Sequence, residues 1–427
     1  MSVHYKIPQH LAKNATAIVD CHLEFNHYLQ NGPSLFFSSF DSRSFCNEEW
    51  PQIQKCFEHF KHKKIFIHVG IGGSSLGPEM LIDALGNNGD EHDCRFLFIN
   101  NIDPDMLFKQ LASLKLKQNV RDCLFYIVSK SGGTAETLAT LLIIMQELEH
   151  AGIKASDFKD YFVFSTDPQK SELLELAQNY HIQCLSIPTP LGGRYSVLSS
   201  VGLFPALFAG IDCHELLAGA REFKNNFSPK SPVYSLGNHI FCELQTRQVD
   251  QTVFIPYSSK LKNFSAWFVQ LWAESLGKKF DLQNKIVHQG LTPIPAYGAT
   301  DQHSQMQLFV EGPRNKFFIF LNILKSQHDF KLQYNGELKT AKKLHGHNLS
   351  QLLQAEFLGT VKVFETDQRP YATIELEKLD AKAMGELILF FETLTVYVGH
   401  LLKVDPFNQP GVEAAKIYTY EFLSQLK

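Results

Sequence analysis

Ile65-Phe66-Ile67-His68-Val69-Gly70-Ile71-Gly72-Gly73-Ser74-Ser75-Leu76-Gly77 runs from a short apolar segment through a glycine-rich turn into a helical pattern. An apolar run of this length bounded by glycine reads as a buried strand. Glycines in such a turn let the backbone approach a ligand closely, and the helix that follows offers free amides to an anion. A dinucleotide-binding G-x-G-x-x-G would need glycine at position 75, where Ser75 stands. Taken alone, the segment is equally well a plain tight turn.

Outward from it, apolar runs alternate with helical stretches. Phe96–Asn100, Leu124–Val128, Phe162–Phe164 and Gln183–Ile187 read as strands, with helices at Thr134–His150 and Ser171–Tyr180. This alternation predicts an α/β fold with a doubly wound parallel sheet, binding ligands beyond the carboxyl ends of its strands. A second set follows: a strand near Val253, a helix over Asn263–Gly277, strands at Phe317–Leu321 and Tyr371–Leu376, and a helix over Asp380–Lys403. The expected organisation is an N-terminal helical segment (1–44), broken at Asn31-Gly32-Pro33, a first domain (45–210), a second domain (225–404) and a C-terminal helix (405–427).

Hydrophobic content of 44%, charged content of 20% and a net charge of −4 exclude a disordered chain and any general basic field for nucleic acid. Eight cysteines, the first at Cys21, form no C-x-x-C pair, the usage expected in a reducing compartment. Met1–Lys6 has no apolar region of the kind a secretion signal needs. The run 383–402 is broken by Glu386, Glu392 and His400, so it reads as a buried helix. These features predict a cytoplasmic protein with no membrane or nucleic-acid partner.

Four further segments carry chemistry. Ser129-Lys130-Ser131-Gly132-Gly133-Thr134 again lies between a strand and a helix, and its hydroxyls, ammonium and glycines form a nest suited to a phosphate monoester. Leu191-Gly192-Gly193-Arg194-Tyr195-Ser196 sets a guanidinium behind two glycines, where it can steady an oxyanion or join a structural ion pair. In Trp272-Ala273-Glu274-Ser275-Leu276-Gly277-Lys278, Glu274 shares a helix face with Gln270. Aromatic neighbours would desolvate Glu274 and raise its pKa towards that of a useful base, whereas pairing with Lys278 would make it an ordinary helix-end residue. Thr300-Asp301-Gln302-His303 supplies a candidate proton carrier. Phe407-Asn408-Gln409-Pro410-Gly411 opens the last helix, which carries Lys416.

In order and spacing, these segments resemble the glucose-6-phosphate (phosphoglucose) isomerase family, in its shorter bacterial form, from about Ile65 to Lys416. L-G-G-R-Y-S-V-L-S-S-V-G (191–202) and F-N-Q-P-G-V-E-A-A-K (407–416) are similar to its two signatures. The resemblance implies two SIS (sugar isomerase) domains, each flavodoxin-like, in a homodimer with no cofactor and no metal. It implies a phosphate site at Gly73, Ser74, Ser129, Lys130, Ser131 and Thr134. It makes Glu274 the base, with Gln270 beside the sugar, Arg194 on the enediolate and Gln409 at the substrate. His303, supplied across the dimer interface, and Lys416 would open the ring.

The implied activity is reversible isomerisation of glucose 6-phosphate and fructose 6-phosphate in glycolysis and gluconeogenesis. Gly133, Asn408, Ala273 and Leu276 depart from the commoner family residues and bear on affinity and sugar preference. A non-catalytic SIS-domain sugar-phosphate sensor would keep the serine loop without needing Glu274, Arg194, His303 and Lys416 together. A dual phosphoglucose/phosphomannose isomerase would need all of them.

Overall fold

Near-continuous apolar runs become strands here because a parallel sheet is covered on both faces. In the computed structural model, which describes residues 3–6, 22–32, 35–86 and 94–426, Cys123–Val128 is buried at every position. Cys21 and Pro33 lie outside the described residues. The strands in chain order are β1 (Val3–Lys6), β2 (Ile65–Val69), β3 (Arg95–Ile99), β4 (Cys123–Val128), β5 (Phe162–Thr166) and β6 (Gln183–Ser186). Then come β7 (Gln251–Pro256), β8 (Lys278–Phe280), β9 (Ile286–Gln289), β10 (Thr292–Pro295), β11 (Lys316–Lys325) and β12 (Tyr371–Lys378).

The first sheet is parallel throughout, in the order β3-β2-β4-β5-β6. Numbered from its own first strand this is 2-1-3-4-5, the flavodoxin-like order, with its switch point between the carboxyl ends of β2 and β4. The turns after those two strands, 70–75 and 129–134, therefore stand side by side. The second sheet runs β1-β12-β11-β7-β10. Its four parallel strands repeat the order 2-1-3-4, and β1, antiparallel to β12, occupies the edge where a fifth strand would lie. This corrects the reading of residues 1–44 as helical throughout. His22–Asn31 is a helix, but Val3–Lys6 is a strand of the second sheet.

Between the two expected domains, 45–210 and 225–404, the chain is helical. Helices Ser200–Phe208, Cys213–Asn226 and Pro232–Arg247 run through this region. One hydrophobic cluster joins Phe66, Met80 and Tyr126 of the first unit to Phe254, Phe317 and Phe391 of the second. Separate clusters line the outer face of each sheet. The helices that build and brace the site are α1 (Leu76–Leu85), α2 (Cys213–Asn226), α3 (Lys262–Leu276), α4 (Ala381–Leu401) and α5 (Glu413–Gln425). α4 is long and apolar enough to cross a membrane, yet 94% of its most apolar window is buried inside the fold. It crosses α2 at Gly219 and Gly385, where a side chain on either would strike the other helix's backbone. α3, which follows β7, packs on α1 of the first unit, and this contact delivers Gln270 and Glu274 to the first sheet's loops.

Candidate active site

The 70–75 turn is held from beneath. His68 is fully buried, and its Nε2 donates to the Ser74 carbonyl at 2.6 Å. Burial drives its pKa down to about 4, which keeps the ring neutral and a donor on that nitrogen. The turn meets its neighbours through absent side chains. A Cβ on Gly73 would lie 2.6 Å from the Gly193 carbonyl oxygen and 2.7 Å from the Arg194 nitrogen. Gly72, at φ +60°, faces Gln270 Nε2, and Gly70 backs onto the carbonyl of Val128, just before Ser129.

In the second turn, the hydroxyls of Ser129 and Thr134 are 2.9 Å apart, and Ser131 Oγ is 3.5 Å from that of Thr134. Thr134 stands before the helix Ala135–His150 but makes no side-chain cap, so its hydroxyl stays with the serines. Lys130 is half-buried; desolvation lowers its pKa and Asp167 partly restores it.

Arg194 is the hub, with its side chain 1% exposed. Nε donates to Ser275 Oγ (2.8 Å). Nη1 donates to Glu274 Oε2 (3.1 Å) and Gln409 Oε1 (2.7 Å). Nη2 donates to the carbonyls of Pro406 (2.6 Å) and Asn408 (3.2 Å). All five guanidinium N–H groups thus have acceptors. Gln270 Nε2 donates to Glu274 Oε1 at 3.2 Å, as their spacing on α3 predicts.

A family model described as Phosphoglucose isomerase matches residues 49–427. The chain belongs to the phosphoglucose isomerase family. It is 36% identical over 397 residues to the glucose-6-phosphate isomerase of Carboxydothermus hydrogenoformans, spanning 88% of this chain and 83% of that one. To one of Thermus thermophilus it is 37% identical, spanning 84% of both chains. A solved hypothetical protein, also of Thermus thermophilus, superposes with a TM-score of 0.84 at 32% identity, covering 98% of this chain and 97% of that one. A glucose-6-phosphate isomerase of Chlamydia trachomatis gives 0.81 at 21% identity, covering 100% and 89%, a likeness of fold.

For a phosphoglucose isomerase the expected residues are unevenly assembled. Gly73, Arg194, Gln270, Glu274 and Gln409 meet directly, beside the turn of Ser74 and near that of Ser129, Lys130, Ser131 and Thr134. His303 and Lys416 do not join them. His303 is exposed, on the short turn Thr300–His303, and Lys416 pairs with Glu413 at 2.8 Å on the exposed face of α5.

The apolar setting expected for Glu274 is also absent. Trp267, Phe268 and Trp272 point into the core, while the Glu274 side chain is 29% exposed and faces a guanidinium and an amide. Nor does Lys278 pair with that carboxylate. Its ammonium donates to the main-chain oxygens of Glu274 (2.5 Å) and Asn408 (2.9 Å). Lys278, Ser275 and Tyr195, whose hydroxyl reaches Ser275 Oγ at 2.9 Å, are site residues that motif reading missed. For Lys278 the available signal was its position four residues after Glu274.

Proposed function

We propose that the chain interconverts glucose 6-phosphate and fructose 6-phosphate through a cis-enediolate, as a homodimer in the cytoplasm. Family membership and relatives named glucose-6-phosphate isomerase support the reaction. The observation that carries the site is the Arg194–Glu274 pair, 3.1 Å apart beside the hydroxyl-rich turns. Glu274 takes the proton from C2 of the open-chain aldose as electrons move to the C1 oxygen. It returns that proton to C1 as the C2 carbonyl forms, while one proton passes between the two oxygens. Arg194, fixed by its other hydrogen bonds, stabilises the negative charge of the enediolate, and Gln270 orients the second carboxylate oxygen. Ser129, Lys130, Ser131 and Thr134 hold the phosphate, with the Gly73-Ser74 backbone at the rim.

His303 and Lys416 are assigned to ring opening, with His303 serving the partner's site. Its exposure supports this, as does α5, where Ile417, Tyr418, Tyr420 and Phe422 are each at least half exposed. Seven free cysteines among the described residues support a reducing compartment.

The test is a coupled assay on glucose 6-phosphate and fructose 6-phosphate, with mannose 6-phosphate alongside and Glu274→Gln as the probe. Wild type should turn over the first two. Glu274→Gln should lose about 10²–10⁴ in kcat with KM nearly kept, and should no longer exchange C2 deuterium into water. A folded wild type inert on both sugars refutes the reaction, and a fully active Glu274→Gln refutes the base.

A further inference from the structure

We propose that Lys278 is a positioning residue of this site, tying the end of the Glu274 helix to the loop that carries Gln409. The carbonyl of Glu274 lies in the last turn of α3, where the helix has no amide left to satisfy it, and the Lys278 ammonium donates there. The same ammonium reaches the Asn408 carbonyl across 130 residues of sequence. Asn408 precedes Gln409, so the tether fixes the distance between the carboxylate and the amide that flank Arg194.

The loop depends on few donors. Arg194 and the Tyr195 hydroxyl hold the Pro406 carbonyl, while Arg194 at 3.2 Å and Lys278 at 2.9 Å share that of Asn408. Within the loop, Asp405 accepts from the Phe407 amide and from Asn408 Nδ2. Pro406 is buried and Phe407 packs on Tyr28, Phe36 and Tyr195, but residues 408–412 beyond this anchor are exposed and have no such packing.

Lys278 is itself 7% exposed. Desolvation, then the Arg194 charge, push its pKa down to about 8, against the opposing pull of Asp405 and Glu274. Asp405 also faces the Tyr28 hydroxyl, whose pKa burial and Asp405 raise to about 12. The tether therefore loses its charge as pH rises through about 8, and the hydrogen bonds it donates weaken with it.

The inference rests on the isomerase reading for its kinetic arm and on structure alone for the other. Hydrogen exchange is measured on wild type, Lys278→Met and Lys278→Arg, and kinetics with fructose 6-phosphate from about pH 6.5 to about pH 9.5. Near pH 7, amides of 405–412 should exchange about 10-fold faster or more in Lys278→Met, with the sheets unchanged, and close to wild type in Lys278→Arg. Wild-type kcat should fall on the alkaline side with a midpoint near 8. Lys278→Arg should move that limb upward, because arginine stays charged. Lys278→Met should lack the limb and run about 10–100-fold slower near neutrality, with KM little altered.

Unchanged loop exchange in Lys278→Met overturns the proposal, as does an alkaline limb left in place by Lys278→Arg. Wild type inactive on the sugar phosphate, with the exchange pattern as expected, refutes the isomerase reading and leaves the tether standing.

Discussion

Gly73→Ala adds one methyl group where two loops of the first unit cross. The new Cβ would sit 2.6 Å from the Gly193 oxygen and 2.7 Å from the Arg194 nitrogen, where ordinary contact begins at 3.4 Å. The Gly193 carbonyl carbon is nearer still, at 2.4 Å, so the loops must part by about 1 Å, and all three atoms are backbone, so no side chain can swing aside. Nor can Arg194 follow freely, since its guanidinium is fixed to Ser275, Pro406 and Asn408. The displacement therefore falls between Arg194 and the 70–75 turn, across the proposed sugar-phosphate site. A misplacement of about 1 Å costs up to ~10²-fold, so kcat/KM should fall about 10–100-fold. The overpacking itself costs about 1–3 kcal/mol, a Tm loss of a few degrees in a chain of this size. Steady-state kinetics and thermal melts on one preparation read both effects. Near-native kcat/KM with an unchanged Tm would show that the loops give way without moving Arg194, and the reasoning would fail.

His68 makes an acid-side prediction. Its pKa is about 6.5 unfolded and about 4 folded, so between these values the unfolded chain binds the extra proton. Its contribution to stability is therefore complete above pH 6.5 and lost as pH falls towards 4, about 2 kcal/mol of it by pH 5. In urea melts near pH 7 and pH 5, wild type should lose about 2 kcal/mol more than His68→Gln; equal losses would remove His68 as the cause. The proposed sharing of the site across a homodimer is tested by mixing. Glu274→Gln and His303→Ala dimers should each be nearly inactive. Unfolded and reassembled together, they should regain about a quarter of wild-type activity, because half the dimers are mixed and each holds one intact site. Mixed dimers that form yet stay inactive would place His303 in its own chain's site.

The first sheet was legible because its central strands β2, β4 and β5 are buried on both faces and read as near-continuous apolar runs, while the edge strands β3 and β6 are only partly buried. The second was harder. β10 is Thr292-Pro293-Ile294-Pro295, and two prolines argue against a strand except at an edge, which is where it lies. β1 pairs with a strand more than three hundred residues away, and nothing local announces that partner. The helices of 200–247 carry core residues of the cluster that joins the two units, so no exposed linker marks where one unit ends. The site was legible wherever a motif is local: two hydroxyl- and glycine-rich turns, one arginine behind two glycines, a glutamine and a glutamate one turn apart. It was illegible where the chemistry depends on folding. The spacing of Glu274 and Lys278 suggested an ion pair, but the lysine finds its second partner at Asn408, on another element.

The same folding explains how a fully buried arginine remains stable with no substrate present. An unpaired guanidinium in this position would cost several kcal/mol, yet every donor on Arg194 is already taken by this chain. Three of the five acceptors, Ser275 Oγ and two main-chain carbonyls, belong to buried or tethered groups and fix the plane of the guanidinium. The other two, Glu274 Oε2 and Gln409 Oε1, share Nη1 and lie on its more exposed side. On the proposed mechanism, a substrate oxygen would win a direct bond to Arg194 only by displacing one of these two, and displacing Glu274 would free a carboxylate oxygen as the C–H proton is offered to it. The plane of Arg194 is thus held beforehand by three neutral acceptors, so on the proposed mechanism stabilising the enediolate would require little reorganisation around it. That division between three fixed acceptors and two more exposed ones would let a buried cation serve both the folded state and the proposed reaction.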